Sequence, residues 1–282
     1  MIENKYAICI LIIVIVVVVI YITTRRSSNK NEVSEIKKDE AVLKTKIPSW
    51  IKDVGFYVLY IKKREEYIKN IMKNFSFNVN YVLGPDKNKF NIDDLIKNNT
   101  ITTQYSKQTN TNTGKVACHL GHMSILKRFL KSSKEYAIIF EDDIAIDNYL
   151  ETENNIQTIL NNLPEKFDII YLDYCWSDCE KRNEYDKYFK NSNRTLCRHF
   201  YLVNRDGASK ILKETMPMYD NGDIMYSDLV DKNKLVSYDA KPEIFNVKQN
   251  REQLGSELNN NDLHPKCNNI FEFFVSVFKG NY

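Results

Sequence analysis

The chain has 282 residues, a formal net charge of +3 and 12% aromatic residues. This length suffices for one large domain with a substantial core. The nearly balanced charge lacks the basic excess that is typical of nucleic-acid binding. A hydrophobic content of 43% is that of a globular chain and argues against disorder. We therefore expect a folded protein that does not bind nucleic acid.

The first distinctive segment is an uncharged run, mostly Ile, Val and Leu, from Tyr6 to Ile22. A run of this length suffices to cross a hydrocarbon core of about 30 Å. A cleaved signal peptide ends at a small-residue site, whereas this run is followed by Thr23-Thr24-Arg25-Arg26. We therefore predict an uncleaved transmembrane anchor over residues 1–24, a polar stem over 25–46 and one large domain over 47–282.

The charges beside this run bear on the side of the membrane that holds the large domain. Only Lys5 precedes the run, whereas Arg25, Arg26 and Lys30 follow it. Because Lys and Arg near the ends of a span favour the cytoplasmic side, these charges alone place the large domain in the cytoplasm.

The cysteines favour the opposite side. Cys175, Cys179 and Cys197 are close in sequence, and a disulfide among them would suit a lumenal or other extracytoplasmic compartment. Reduced, buried cysteines are about as well supported by the sequence. Zinc binding is less so, because the spacing is not Cys-x2-Cys and no His pair follows. We predict an extracytoplasmic domain whose Cys197 is bonded to Cys175 or Cys179.

Short apolar runs alternate with helical patterns through the large domain. Strands are predicted at Phe56–Ile61, Val79–Leu83, Tyr136–Phe140, Phe167–Leu172 and His199–Val203, and helices at Lys62–Phe75, from Gly114 onward and at Asp206–Met216. The polar stretch Asp86–Thr113 is predicted to be a long loop. This alternation predicts an α/β fold with a mostly parallel sheet and helices on both faces.

Three acids, Glu141-Asp142-Asp143, directly follow the apolar strand Tyr136–Phe140. Like charges at this spacing repel unless a cation lies between them. Open α/β sheets bind ligands beyond the carboxyl ends of their strands, and carboxylates are preferred ligands of Mg²⁺ and Mn²⁺. We therefore predict that Glu141 and Asp143 hold a divalent metal ion; the alternative is a solvated acidic turn.

The residues around the three acids resemble glycosyltransferase family 25, which includes lipooligosaccharide and procollagen galactosyltransferases. Gly114–His122 is similar to the family's Gly-led helix with a Ser-His pair, with Gly121 in place of Ser, and Tyr136–Ile144 is similar to its apolar strand that ends in Glu-Asp-Asp. Further similar elements are Lys63-Arg64, Phe167–Leu172, Cys197–Tyr201, Gly207-Ala208 and the late pair Gln249 and Ser256.

The resemblance implies a GT-A-type (Rossmann-like) fold, a UDP-sugar donor, Mn²⁺ (or Mg²⁺) and transfer with inversion. The transferred hexose would be galactose or glucose, and the acceptor a hydroxylysine-like protein side chain or a glycan hydroxyl. The residues expected to contact the donor are Lys63, Arg64, Asp142, Gln249 and Ser256.

Inverting transfer needs a base that takes the proton of the acceptor hydroxyl. Asp223 matches the acidic position that the family places after its Gly-Ala helix, and Asp220 and Asp228 are its acidic neighbours. His122 is a second candidate catalytic residue. Its place on an apolar helical face suits a hydrogen-bonded core histidine as well as a residue that faces the site.

Two other functions are compatible with the sequence. One is a catalytically inactive GT-A-fold membrane or envelope protein, because Gly121 replaces the expected Ser and Tyr60-Ile61 stands where Asn-Leu is expected. The other is a metal-dependent hydrolase that uses the three acids, although the additional His and Asp ligands of such enzymes are missing.

Overall fold

The computed structural model describes residues 49–108, 112–178, 183–242, 244, 245, 247–250 and 254. Among the helices of these residues, none has the length and apolar character that a membrane crossing requires. The predicted anchor and stem lie outside the described residues, as do Cys179 and Ser256. Both segments therefore stay predictions.

Strands and helices alternate along the described residues. The strands are β1 (Val54–Tyr60), β2 (Val79–Leu83), β3 (Tyr136–Glu141), β4 (Ile144–Ile146), β5 (Ile169–Asp173), β6 (Phe189–Asn191), β7 (Phe200–Asn204), β8 (Ser237–Ala240) and β9 (Val247–Gln249). The α-helices are α1 (Glu65–Met72), α2 (Ile92–Lys97), α3 (Thr103–Ser106), α4 (Thr113–Lys131), α5 (Tyr149–Asn161), α6 (Arg205–Glu214) and α7 (Gly222–Asp231).

Within the described residues, seven of these strands form one sheet in the order β2-β1-β3-β7-β5-β8-β6. Strands β2, β1, β3, β5 and β8 run in one direction, and β7 and β6 run against them. Strands β4 and β9 form a separate antiparallel pair. The α/β prediction is confirmed. The sheet is mixed, because β7 is inserted antiparallel between β3 and β5; the GT-A assignment stays a prediction.

Strands β1, β3, β5 and β7, inside the sheet, bury both of their faces, as a sheet covered by helices requires. On one face Phe140 belongs to a core that includes Ile68 of α1 and Ile156 of α5. On the other face Ile139 belongs to a core that includes Leu126 of α4, and residues of α6 and α7 join it. The predicted placement of helices on both faces is therefore confirmed.

The prediction of a long loop over Asp86–Thr113 is wrong for the described part of that stretch, which contains α2 and α3. Side chains cap both helices: Asn91 accepts from the backbone of α2 and Thr102 from the backbone of α3. Leu95 and Tyr105 then pack into a third core with residues of α4 and α7. Tertiary burial thus orders a polar stretch that has no helical periodicity of its own.

The topology brings several chain segments to one edge of the sheet. The carboxyl ends of β1, β3 and β5 meet there, since these strands run in the same direction. Strand β7 runs the other way, so the residues just before it arrive at the same edge. Leu59 is paired with Glu141, and Phe140 with Phe200. The three acids therefore lie between the segment after β1 and the segment before β7.

Candidate active site

The carboxylate of Asp142 connects the end of β3 to the segment after β1. Its Oδ2 accepts a 2.6 Å hydrogen bond from the backbone N–H of Ile61. Its Oδ1 accepts a 2.8 Å bond from Nη1 of the buried Arg64. Burial raises the pKa of Asp142, and these two hydrogen bonds oppose that change. Asp142 thus fixes the arrangement of two strand ends.

Asp143 has a different environment from its neighbour. It is 9% exposed, and its Oδ2 lies 3.7 Å from Arg64 Nη1. Its Oδ1 is buried and has no hydrogen-bond partner among the described residues. Burial, together with the charge of Glu141, raises the pKa of Asp143 to about 6. An unpartnered buried carboxylate oxygen is costly, and a bound cation would remove that cost.

Glu141 is held by a histidine from α4. Its Oε1 lies 2.8 Å from His122 Nε2, and His122 Nδ1 lies 3.1 Å from the hydroxyl of Tyr201. Burial and the charge of Arg198 lower the pKa of His122. Burial acts to raise the pKa of Glu141, but the hydrogen bond from His122 and the positive charges around the carboxylate, including Arg198, together lower that pKa to about 2. We assign a neutral His122 that donates to an ionised Glu141 and accepts from Tyr201.

The glycine that replaces the family's Ser before His122 has a steric reason. A Cβ at Gly121 would lie 2.5 Å from a terminal methyl of Leu59. Leu59 lies on β1 beside Glu141, so its side chain fills the space that a larger residue at position 121 would need. The helix can therefore approach the sheet closely and bring His122 to Glu141.

The donor atoms of this cluster fit a hard divalent cation. Glu141 is ionised and its side chain is 20% exposed, and Asp143 offers the unpartnered Oδ1. Both supply carboxylate oxygens, which Mn²⁺ and Mg²⁺ prefer. Each oxygen of Asp142 already accepts a hydrogen bond from the protein. Glu141 and Asp143 are therefore the residues that would hold the metal ion, with Asp142 beside them.

Asp223 lies in the first turn of α7. The backbone N–H of Cys197 lies 3.5 Å from its Oδ2, and its charge acts on His122 and Cys118. The structure therefore brings Asp223 to the same region as Glu141 without direct contact with the three acids. Asp228, one turn later on the same helix, lies 3.3 Å from Lys232.

The disulfide prediction is confirmed in one of its two forms. Cys175, just after β5, is bonded to Cys197, just before β7. Cys118 of α4 is a free cysteine. Since the Cys197 N–H also contacts Asp223 of α7, the disulfide links the end of β5 to the segment that touches the candidate base.

The other predicted donor-binding residues that the structure describes lie after β1 and on β9. Lys63 is exposed at the turn after β1, whereas Arg64 is buried against Asp142. The backbone of Gln249 pairs with Ile144, directly after the three acids. The next residue in the chain, Asn250, donates its N–H to the carbonyl of Asp143 at 2.5 Å. Ser256 lies outside the described residues, and its role stays a prediction.

Three site residues were not predicted from the sequence. They are Cys118, Arg198 and Tyr201. Cys118 Sγ lies 3.7 Å from Glu141 Oε1 and 3.9 Å from Arg198 Nη2. Cys118 precedes His122 by one helical turn, a spacing that could have indicated it. Arg198 and Tyr201 both lie in the element Cys197–Tyr201 that resembles the family, and this resemblance was the available signal, although it gave neither residue a role.

Comparison with known proteins now identifies the class. Residues 56–230 match glycosyltransferase family 25 (LPS biosynthesis protein). The chain belongs to this family and is a glycosyltransferase. No curated protein sequence matches the chain.

Two solved structures resemble the chain weakly. The STIV protein A197 shares 12% identity, covering 77% of this chain and 99% of its own, with a TM-score of 0.33. The 4-diphosphocytidyl-2C-methyl-D-erythritol synthase from Anaerococcus prevotii DSM 20548 shares 10% identity, covering 71% and 92%, with a TM-score of 0.32. Neither likeness carries an argument about function.

Proposed function

We propose that this glycosyltransferase is metal-dependent and inverting, and that it moves galactose or glucose from a UDP-sugar to a hydroxyl group. The acceptor is a hydroxylysine-like protein side chain or a glycan. One observation carries the proposal. A buried carboxylate oxygen of Asp143 has no partner in the described part of the chain, and it lies at the sheet edge where such folds bind ligands. Family membership supplies the class of reaction.

The surrounding residues define how the donor would be held. Glu141 and Asp143 would hold Mn²⁺ or Mg²⁺, which stabilises the negative charge of the leaving UDP when it is bound. Asp142 and Arg64 fix the position of that pair. His122 orients Glu141 from the neighbouring helix.

Asp223 is the proposed base. The acceptor oxygen attacks the anomeric carbon from the face opposite UDP and gives its proton to the carboxylate of Asp223. The bond from the anomeric carbon to the β-phosphate oxygen breaks, and its electron pair stays on UDP. A base must be free of the metal, since a bound cation would lower its pKa. Asp223 meets that condition because it comes from α7, whereas the proposed metal ligands come from the end of β3.

The cysteines support one side of the membrane over the other. We place the domain in an extracytoplasmic compartment, since disulfides persist in oxidising environments. The Cys175–Cys197 bond supports this placement, and the charges around residues 6–22 oppose it.

The test is a screen of UDP-sugars with the full-length protein, which follows UDP release in the presence of Mn²⁺ or EDTA. We expect Mn²⁺-dependent turnover of UDP-galactose or UDP-glucose. Asp143→Asn should abolish turnover and Mn²⁺-dependent UDP binding while the fold stays intact, because the lost ligand stabilises transition-state charge by several kcal/mol. Glu135→Gln is the matched control, since Glu135 is an exposed acid just before β3.

Two results would contradict the proposal. Turnover that is unaffected by EDTA, or that is largely retained by Asp143→Asn, would show that the metal assignment is wrong. Binding of UDP-sugars by the wild type without any turnover would favour an inactive member of the family.

A further inference from the structure

Arg198 is a buried charge that differs from the other buried arginine of the site. It is 6% exposed. Arg64, equally buried, forms a 2.8 Å ion pair with Asp142. Arg198 forms no ion pair with a carboxylate of the described residues. Burying a charge without a counterion is costly, so a guanidinium held in this way indicates an anion that binds to it.

Neutral groups hold the guanidinium in place. Nη1 of Arg198 lies 3.3 Å from Nδ1 of His119. Nε2 of His119 lies 3.2 Å from the carbonyl oxygen of Thr215. The His119 Nε2–H therefore donates to Thr215, and Nδ1 accepts from Arg198. Burial lowers the pKa of His119 well below its usual value, which keeps it neutral. The Tyr226 ring lies 4.9 Å from the guanidinium carbon. These contacts fix the direction of Arg198 without neutralising its charge.

The backbone around Arg198 is shaped to admit this side chain. A Cβ at Gly222 would lie 2.3 Å from Nη2, so glycine lets α7 begin against the guanidinium in this position. The preceding residue, Cys197, has a positive φ of 72° and is bonded to Cys175. The chain therefore fixes Arg198 from both sides.

Arg198 lies between the two parts of the proposed active site. Cys118 Sγ is 3.9 Å from Arg198 Nη2 and 3.7 Å from Glu141 Oε1, so the guanidinium is one sulfur atom away from the proposed metal ligand. The charges of Asp223 and Glu141 both act on Arg198. An anion at Arg198 would therefore be next to the cation held by Glu141 and Asp143.

We propose that Arg198 binds the diphosphate of the nucleotide-sugar donor and, with the metal ion, stabilises the charge that develops on it as the glycosidic bond breaks. This inference rests on the proposed function. Arginine suits the role because its fork of N–H groups matches phosphate oxygens and it stays charged when buried. Groups aimed at developing charge in a water-poor site contribute strongly to catalysis. Arg198 is thus a donor-binding residue.

The test measures the affinity of the full-length protein for inorganic pyrophosphate, UDP and uridine by calorimetry, with Mn²⁺ present. Arg198→Gln should weaken the binding of pyrophosphate and of UDP by about 10- to 100-fold, the share of a lost charge-assisted contact. Its affinity for uridine should not change, because uridine carries no phosphate. Arg198→Lys keeps the charge and should give intermediate affinities.

Arg194→Gln is the matched control. Arg194 lies on the same segment, is 38% exposed and pairs with Asp231 at 3.3 Å, so its loss should change neither affinity nor thermal unfolding. If Arg198→Gln does not fold, the pyrophosphate and UDP affinities of Arg198→Lys provide the test, since this variant retains a cation between Tyr226 and His119.

The possible results separate this proposal from the proposed function. Suppose that the wild type binds pyrophosphate but not UDP, and that Arg198→Gln no longer binds pyrophosphate. This result would support an anion site at Arg198 and contradict a UDP-sugar donor. If folded Arg198 variants bind pyrophosphate as tightly as the wild type does, the inference is overturned. An equal loss of uridine affinity, or a wild type that binds no pyrophosphate, would also overturn it.

Discussion

Asp142 and Asp143 show how far adjacent residues of one type can differ in role. Both follow β3. The two carboxylate oxygens of Asp142 accept hydrogen bonds from Ile61 and Arg64, whereas Oδ1 of Asp143 has no hydrogen-bond partner among the described residues. The difference arises because the segment after β1 donates hydrogen bonds to Asp142, whereas its Arg64 comes only within 3.7 Å of Asp143. Asp142 is therefore suited to hold the strand ends, and Asp143 to bind a ligand.

At the residue scale, the proposed base gives the first prediction. Asp223→Asn should lower kcat by roughly 10²–10⁴, the usual contribution of general-base catalysis, because asparagine cannot take the acceptor's proton. The affinity for the UDP-sugar should change little. Steady-state kinetics and calorimetry with UDP measure the two quantities.

Asp228→Asn is the matched control for that variant. It is on the same helix, and its carboxylate lies beside Lys232 at the surface, so its kcat should stay close to the wild-type value. A loss of UDP or Mn²⁺ affinity in Asp223→Asn in proportion to its loss of rate would place Asp223 in the donor site and leave the base unassigned.

The second residue-scale prediction concerns His122. His122→Phe removes the hydrogen bond to Glu141 and should weaken Mn²⁺ binding by about 10- to 100-fold, as is usual when a metal ligand loses the residue that orients it. Titration with Mn²⁺ in the presence of UDP, followed by electron paramagnetic resonance, measures the effect. Tyr201→Phe, which removes only the contact to Nδ1, should do less.

The opposite pattern would change the role of His122. An unaltered Mn²⁺ affinity together with a reduced kcat would mean that His122 acts on the substrate and does not support Glu141.

The sequence predicted some of these residues because local signals were enough. Three acids after an apolar strand place Glu141 and Asp143 at a sheet edge, and the topology confirms that position. Arg198 could not be predicted, because its burial depends on α4, α7 and β7 coming together. A residue's role that depends on packing between distant segments has no local sequence pattern.

Among the elements, the longer apolar strands were predicted more accurately than the short helices and short strands. Strands β4, β6, β8 and β9, of three or four residues each, were not predicted. The range Val79–Leu83 agrees at both ends, and β1 and β3 differ by at most two residues. Buried strands give continuous apolar runs, which are visible in sequence. Helices α2 and α3, of six and four residues, are too short to show a period of 3.6, and their caps and tertiary contacts define them.

The antiparallel direction of β7 could not be predicted from its residues either. A central strand that is buried on both faces has apolar residues whether it is parallel or antiparallel to its neighbours. Its direction is set by the connection that precedes it. Here that connection carries the disulfide and Arg198 to the edge that holds the acids. The strand's direction is thus what brings this segment to the active site.

The Cys175–Cys197 disulfide is expected to stabilise the fold. Removing it in a Cys175→Ser/Cys197→Ser variant should lower the free energy of unfolding by about 3 kcal/mol, as expected for a loop closed over a sequence separation of 22 residues. Urea denaturation without reductant measures the change. Wild type with reductant should match the variant, whereas reductant should not alter the variant itself.

Peptide mapping without reduction is the direct check on the pairing. A Cys175–Cys197 peptide and a free Cys118 are expected. Free thiols at all three positions would contradict the extracytoplasmic placement and agree with the charges that flank the apolar run.

For the whole molecule, the predicted anchor would hold the catalytic domain at a membrane surface. The run Tyr6–Ile22 spans 17 residues, which is the lower limit for a transmembrane helix. A polar segment of 22 residues, 25–46, separates it from the domain. An enzyme built in this way would work on acceptors that pass close to the membrane surface.

The last prediction tests that anchor. Residues 1–24 should be retained in the mature protein, and the protein should stay in the membrane pellet after alkaline carbonate extraction. Val14 lies at the centre of the run, so Val14→Arg places a charge at mid-membrane, at a cost of about 2.5–3.5 kcal/mol. Because a span of minimal length has little apolar surface in reserve, this variant should be released into the supernatant, whereas Val14→Leu should stay in the pellet. Intact mass and immunoblots of both fractions measure the outcome. A mature N-terminus beyond Thr24, or release of the wild type by carbonate, would show that the segment is not an uncleaved span.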